Sequence, residues 1–167
     1  MTSENLINID LEQQILGALL IDNTLVRHVG EYGGEVFGDP FHGALFDRIL
    51  KRVGDGEHVD ATTIKFEVNS MPSAEAVGGA SYLVKLAMSA VNPTAMPSYL
   101  KELRKLYGRR VAIEALEAAK SRLMVEETDM PPEKALELCE GDISMALQAV
   151  QDRPLARAWL ASSHLAL

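Results

Sequence analysis

Residues 98–127, SYLKELRKLYGRRVAIEALEAAKSRLMVEE, decide the fold. Their apolar spacing predicts one long helix from about Ser98 to Glu126 or Glu127, roughly 40 Å at 1.5 Å per residue, with Pro97 in its first turn. Leu103, Leu106, Ile113, Leu116 and Leu123 follow one side, with Tyr99 and Val111 near it. Thr128-Asp129-Met130-Pro131-Pro132 is a compact break. A partner helix then starts near Glu133, carrying Leu136, Cys139, Ile143, Ala146 or Leu147, and Val150 at heptad-like intervals. Gly141 inside it weakens that helix by about 1 kcal/mol relative to Ala. Two long helices joined by a short proline-containing loop pair antiparallel as a hairpin.

A two-helix hairpin has one shared seam and little interior. Its outer apolar positions, with Val111, Ala112, Ala115, Ala118 and Ala119 as candidates, would stay wet in a monomer. A second copy covers them, and alanines allow close helix approach. The expected hairpin and dimer interface is therefore Leu103, Leu106, Val111, Ile113, Ala115, Leu116, Leu136, Cys139, Ile143 and Leu147.

Upstream of this stretch the apolar period is also helical. Leu11, Ile15, Leu16, Ala18, Leu19 and Leu20 form a broad face of a first helix, with Asp10 as N-cap and Gln13 completing a capping box. A second short helix, about Thr24 to Tyr32, carries Leu25, Val26 and Val29 and stops at Gly33-Gly34. Asp39-Pro40 reads as a helix start, cap and first position. Phe41, Leu45, Ile49 and Val53 follow on adjacent turns, with Phe46 and Leu50 beside them. Asp60 is expected to cap a short helix with Ile64 and Val68, ended by Pro72. Gly78-Gly79 precedes a helix with Tyr82, Leu83, Leu86 and Ala87. No segment alternates with period two. The expected architecture is all-α: a globular head over 1–94, a dimerising hairpin over 95–152, and a tail or linker start over 153–167. Trp159, in a short amphipathic run after Pro154, is a candidate anchor.

Composition narrows the function classes. The 167 residues are 47% hydrophobic and 24% charged, which suits one globular domain with an appendage. With 5% aromatics, the core should be aliphatic. A net charge of −8 argues against a general nucleic-acid surface, so no direct DNA contact is expected. Cys139 is the one cysteine, which precludes an intramolecular disulfide. The start lacks a signal-peptide layout, and no stretch approaches the roughly 18 apolar residues of a membrane span. A cytoplasmic location and no membrane contact are expected.

A phosphate-binding loop needs Gly before Lys, and the sequence has no Gly-Lys pair. Gly33-Gly34, Gly54/Gly56 and Gly78-Gly79 read as turns or close helix approaches. Asp39, His42, His58 and Asp60 are the best candidates for a metal or acid–base site. Both aspartates, however, suit helix caps, and His42 beside Phe41 suits packing with a backbone bond. No catalytic, cofactor or metal residues are assigned. Cys139 reads as a small hydrophobe on the seam. Lys101, Arg104, Lys105, Arg109 and Arg110 form the one basic cluster, a solvated helix face or a surface for an acidic partner.

Several short signatures occur in order: Glu12-Gln13 leading into Leu16-Gly17-Ala18-Leu19-Leu20; Phe37-x-x-Pro40-x-His42 with Leu45 and Phe46; Asp60 with Thr63; and Gly78-Gly79-x-x-Tyr82-Leu83-x-x-Leu86. Together with the Tyr99 to Arg110 segment, they resemble the N-terminal domain of the DnaB-type replicative helicases. Each motif is weak singly, whereas four or five in this order are specific. The resemblance runs from about Ile9 to Arg122, and more loosely to Val150. It implies a helical head and hairpin that pairs into homodimers, three of which form a collar over a hexameric motor. That collar docks the C-terminal domain of primase, with a helicase loader as a further candidate partner, and binds no ATP itself. The motor motifs are not among these residues, and the ending Arg153 to Leu167 departs from the usual linker. The dimer is therefore the safer expectation. The alternatives are a free-standing, phage-type regulator of helicase or primase, and, more remotely, a small metal-dependent hydrolase.

Overall fold

The computed structural model describes residues 6–124 and 130–151. Among them the chain forms seven α-helices and no strand, which makes the fold all-α. The expected loop residues Thr128 and Asp129, the last residues of the long helix as expected from the sequence (Val125 to Glu127), and the tail with Pro154 and Trp159 lie outside the described residues.

Helix α1 spans Ile9–Ile21. Its cap is Asn8, whose side chain accepts from the Leu11 amide at 3.0 Å. That corrects the expectation for Asp10, which already lies within the first turn. The next segment, Asn23–His28, is a 3-10 helix rather than an α-helix. Asp22 caps it through the Thr24 amide and hydroxyl, and the chain turns at Gly30 (φ 78°) before a longer ladder can build.

Helix α2, Pro40–Gly54, starts as the sequence indicates: the Asp39 carboxylate accepts from the amides of Phe41 and His42. At Asp60 the carboxylate accepts from the Thr62 and Thr63 amides, and Thr63 Oγ1 accepts from the Asp60 amide. These bonds, the Thr63 amide foremost, hold the Asp60 carboxyl below its usual value. They close a turn, and helix α3 begins only at Lys65–Asn69. A one-turn helix, α4 (Ala74–Val77), precedes α5 (Ala80–Met88).

The two long helices are α6, Met96–Leu123, and α7, Pro132–Val150. A Cβ on Gly108 would touch Val150, and Cys139 Sγ lies 3.6 Å from the Ala119 carbonyl. Rising number on one helix thus meets falling number on the other, which is an antiparallel hairpin.

The head core is aliphatic with a few aromatics; Ile15, Leu16, Leu19, Leu45, Phe46, Ile49, Leu83 and Leu86 are fully buried. Gly17 sets how closely α1 and α5 cross, since a Cβ there would lie 1.9 Å from the Leu86 carbonyl oxygen. Met96, Leu100 and Leu103 are buried in that same core. The long helix therefore begins inside the head, and the head extends past the expected boundary at residue 94.

Candidate functional site

Two features stand out: the outer face of the hairpin, and a polar network inside the head. In the hairpin the closely packed residues are small. Ala119, Ala135 and Cys139 are buried between the helices. Arg122 and Asp142 bridge the two helices at 2.8 Å. Large apolar side chains lie outside this seam. Leu116, Leu136 and Leu147 are 59%, 58% and 57% exposed, and Ile113, Leu123 and Ile143 are exposed as well. An apolar groove of about 220 Å³ runs between the helices, lined by Gly108, Ala112, Ala115, Leu116, Ile143, Ala146, Leu147 and Val150.

The expected interface residues divide accordingly. Ala115, Leu116, Ile143 and Leu147 come together along this groove, with Ile113 and Leu136 exposed elsewhere on the two helices. Val111 is half-buried and Cys139 lies in the seam. Leu103 is a correction: it is fully buried in the head core, and Leu106 packs against that core. The first turns of α6 are an element of the head, so their apolar side is already covered. Ala119, expected on the outer face, is likewise in the seam.

The basic cluster on α6 divides too. Arg104 donates to the carbonyls of Val29 and His28, and Arg110 to those of Leu6 (2.9 Å) and Val36 (2.7 Å). Burial pushes the Arg110 guanidinium below its ordinary value, while Glu12 and Glu114 act in the opposite sense. Lys105 pairs with Glu102 at 2.8 Å, and Lys101 and Arg109 are exposed. Two members of the expected solvated face are thus staples between α6 and the head.

Inside the head, Glu12, Gln13, His42 and Tyr82 are buried together. His42 Nδ1 is 2.7 Å from Glu12 Oε2, and His42 Nε2 is 2.7 Å from the Tyr82 hydroxyl. Gln13 Nε2 donates to the Tyr82 oxygen at 2.8 Å. Glu12 also accepts from the backbone amides of Gly38 (2.6 Å) and Asp39 (3.3 Å). One assignment satisfies every group: neutral His42 protonated on Nδ1, donating to Glu12, with Nε2 accepting from the Tyr82 hydroxyl. The network joins α1, α2 and α5, and burial, the largest influence on it, raises the Tyr82 phenol above its ordinary value. The sequence signal for it was present in the Glu-Gln, Pro-x-His and Tyr-Leu signatures, but their convergence was not. His42 was expected to bond to backbone; it bonds to two side chains.

Both ring nitrogens of His42 are thereby committed. His58 is exposed, 3.5 Å from Asp60. Among the described residues no three His, Cys, Asp or Glu side chains are grouped to hold a metal ion. No helix among them is long and apolar enough to cross a membrane.

Comparisons with known proteins agree with this geometry. A family model described as the DnaB-like helicase N terminal domain matches residues 4–105. The replicative DNA helicase DnaB of Rickettsia typhi is 31% identical over 90 residues, covering 52% of this chain and 18% of the relative. That of Geobacillus stearothermophilus is 33% identical over 81 residues, covering 48% and 18%. The chain thus spans less than a fifth of the length of these relatives. In fold, it is similar to the N-terminal domain of the DnaB helicase from Mycobacterium tuberculosis, with TM-score 0.74 and 21% identity over 83% of this chain and 97% of that one. It is also similar to a DnaB-like replicative helicase described with its primase interactions, with TM-score 0.64 and 19% identity over 96% of this chain and 35% of that one. Helical head, hairpin and ordered signatures lead to one family: the chain belongs to the DnaB-like helicase N-terminal domains.

Proposed function

We infer that this chain is a non-catalytic oligomerisation and docking module of a replicative DNA helicase, which pairs through its hairpin and receives the C-terminal domain of primase. The observation that carries this reading is the hairpin itself. Its seam is built from Ala119, Ala135 and Cys139, while Leu116, Leu136, Ile143 and Leu147 remain exposed on both helices. Each such side chain is worth about 1.5–3 kcal/mol when fully buried, so a second copy laid on this face is strongly favoured. The interface residues proposed are Val111, Ile113, Ala115, Leu116, Leu136, Ile143 and Leu147, with Leu103, Leu106 and Cys139 removed. A trimer of such dimers, a helicase loader as further partner, and a cytoplasmic location follow from the family reading.

Docking is supported separately by the head. Phe66 on α3, with Val84 and Met88 on α5, exposes apolar surface on two helices that pack together. Nothing in the head requires that surface for its own core.

Sedimentation equilibrium tests the first part and titration calorimetry with the primase C-terminal domain tests the second. The expected outcomes are a concentration-dependent dimer, saturable primase binding and no ATP hydrolysis. A particle that stays monomeric at high micromolar concentration and ignores primase overturns the reading.

A further inference from the structure

Three parts of the chain meet at the head end of the hairpin groove: the head loop around Gly30, the first half of α6, and the C-terminal end of α7. Tyr32 is buried there, and its hydroxyl donates to the carbonyls of Gln151 at 2.9 Å and Val150 at 3.4 Å. The Arg104 guanidinium covers the Tyr32 ring, 4.6 Å from its centroid, and Tyr107 meets that ring edge-on at 6.4 Å. Arg104 is itself fixed to the head loop through the carbonyls of Val29 and His28. Gly30 makes the approach feasible: its φ is +78°, and an added Cβ would lie 2.9 Å from the Arg104 Nη2.

A helix leaves its last carbonyls without partners of its own, and chains ordinarily solve this locally with a left-handed glycine or a basic side chain. Among the described residues α7 has neither. Its cap residue Gln151 is extended, and no basic residue occupies the last turn. The carbonyls are met instead by a phenol 119 residues away in sequence from Gln151. The ring presenting that phenol is clamped by a cation that the head loop holds.

We propose that Tyr32 is a latch through which the head loop 28–32 controls the order of the last turn of α7. A movement of that loop displaces Arg104 and Tyr32 and so uncaps α7; conversely, loosening α7 loosens the loop, since coupling between two sites is reciprocal. The device lets an event on the head reach the far end of the hairpin's second helix without passing through the seam.

Hydrogen exchange on the full chain tests it. Tyr32→Phe keeps the ring and removes only the hydroxyl. Amides of residues 147–151 should then exchange about fivefold faster, the effect of one lost net hydrogen bond, while α1, α2 and α5 exchange at wild-type rates. Gly30→Ala, which acts from the loop by displacing Arg104, should accelerate the same segment. Unchanged exchange over 147–151 in Tyr32→Phe overturns the latch. So does an equal acceleration throughout the head, which would make Tyr32 a packing residue. Gly30→Ala that speeds the head and leaves 147–151 at the wild-type rate overturns control by the loop.

Discussion

The hydroxyl of Tyr82 serves two buried partners at once, His42 Nε2 and Gln13 Nε2. Tyr82→Phe leaves both unpaired, at a cost of about 1–3 kcal/mol of stability, measurable by urea denaturation. The pH dependence has a definite sign. Because burial raises the phenol, the folded state holds its proton more tightly than the unfolded chain does. That contribution is complete below the ordinary phenol value of about 10 and is lost as pH rises through the higher folded value. Wild-type stability should therefore fall more steeply than that of Tyr82→Phe as pH rises above the ordinary phenol value of about 10. Equal slopes would show that the phenol does not titrate with unfolding. Gly17→Ala is a second sharp case: its Cβ would meet the Leu86 carbonyl oxygen at 1.9 Å, backbone that cannot move aside cheaply. About 1–3 kcal/mol or more should be lost in thermal unfolding. At this scale the sequence announced which residues mattered but not with whom. Glu12, His42 and Tyr82 are separated by 30 and 40 positions, and no local period links them.

At the scale of elements, of the caps expected at Asp10, Asp39 and Asp60 only Asp39 opens its helix as read. Asp39-Pro40 opened α2 as expected, because an aspartate and a proline satisfy a helix N-terminus by local geometry alone. Asn23–His28 was less readable, since six residues between Asp22 and the turn at Gly30 suit α and 3-10 spacing equally. The long helix was visible in outline, yet its division was not. Periodicity showed an apolar stripe from Leu103 to Leu123 and could not show that Met96, Leu100 and Leu103 bury theirs in the head. Two substitutions on this one helix should therefore behave differently. Leu103→Asp puts an uncompensated charge in the head core and should unfold it, lowering the far-UV dichroism. Leu116→Asp, at a 59% exposed position, should retain helicity and abolish pairing in sedimentation equilibrium. Loss of fold in both would remove the distinction between head and outer face.

For the whole molecule, the ordered signatures were sufficient to reach the family, which the match over residues 4–105 bears out. The placement of the two surfaces required three dimensions. Ala119 and Leu116 are three residues apart, yet one is sealed in the seam and the other left open to solvent. If the open face is what a second copy covers, alanine-to-leucine changes in the groove should disturb pairing without unfolding the head. Ala112→Leu and Ala146→Leu, which fill the groove between the helices, are the variants to compare by light scattering across dilutions. Dimers as tight as wild type in both would place the contact elsewhere.

Helix α6 is a single unbroken rod rooted in one body and projecting from it. The part beyond Arg110, the last of its residues fastened to the head, is about 20 Å long at 1.5 Å per residue. A rocking of the root by about 10° would therefore sweep the tip through about 3 Å, more than half a helical turn. Small tilts at the base become displacements large enough for whatever grips the tip to register: the rod is a lever arm.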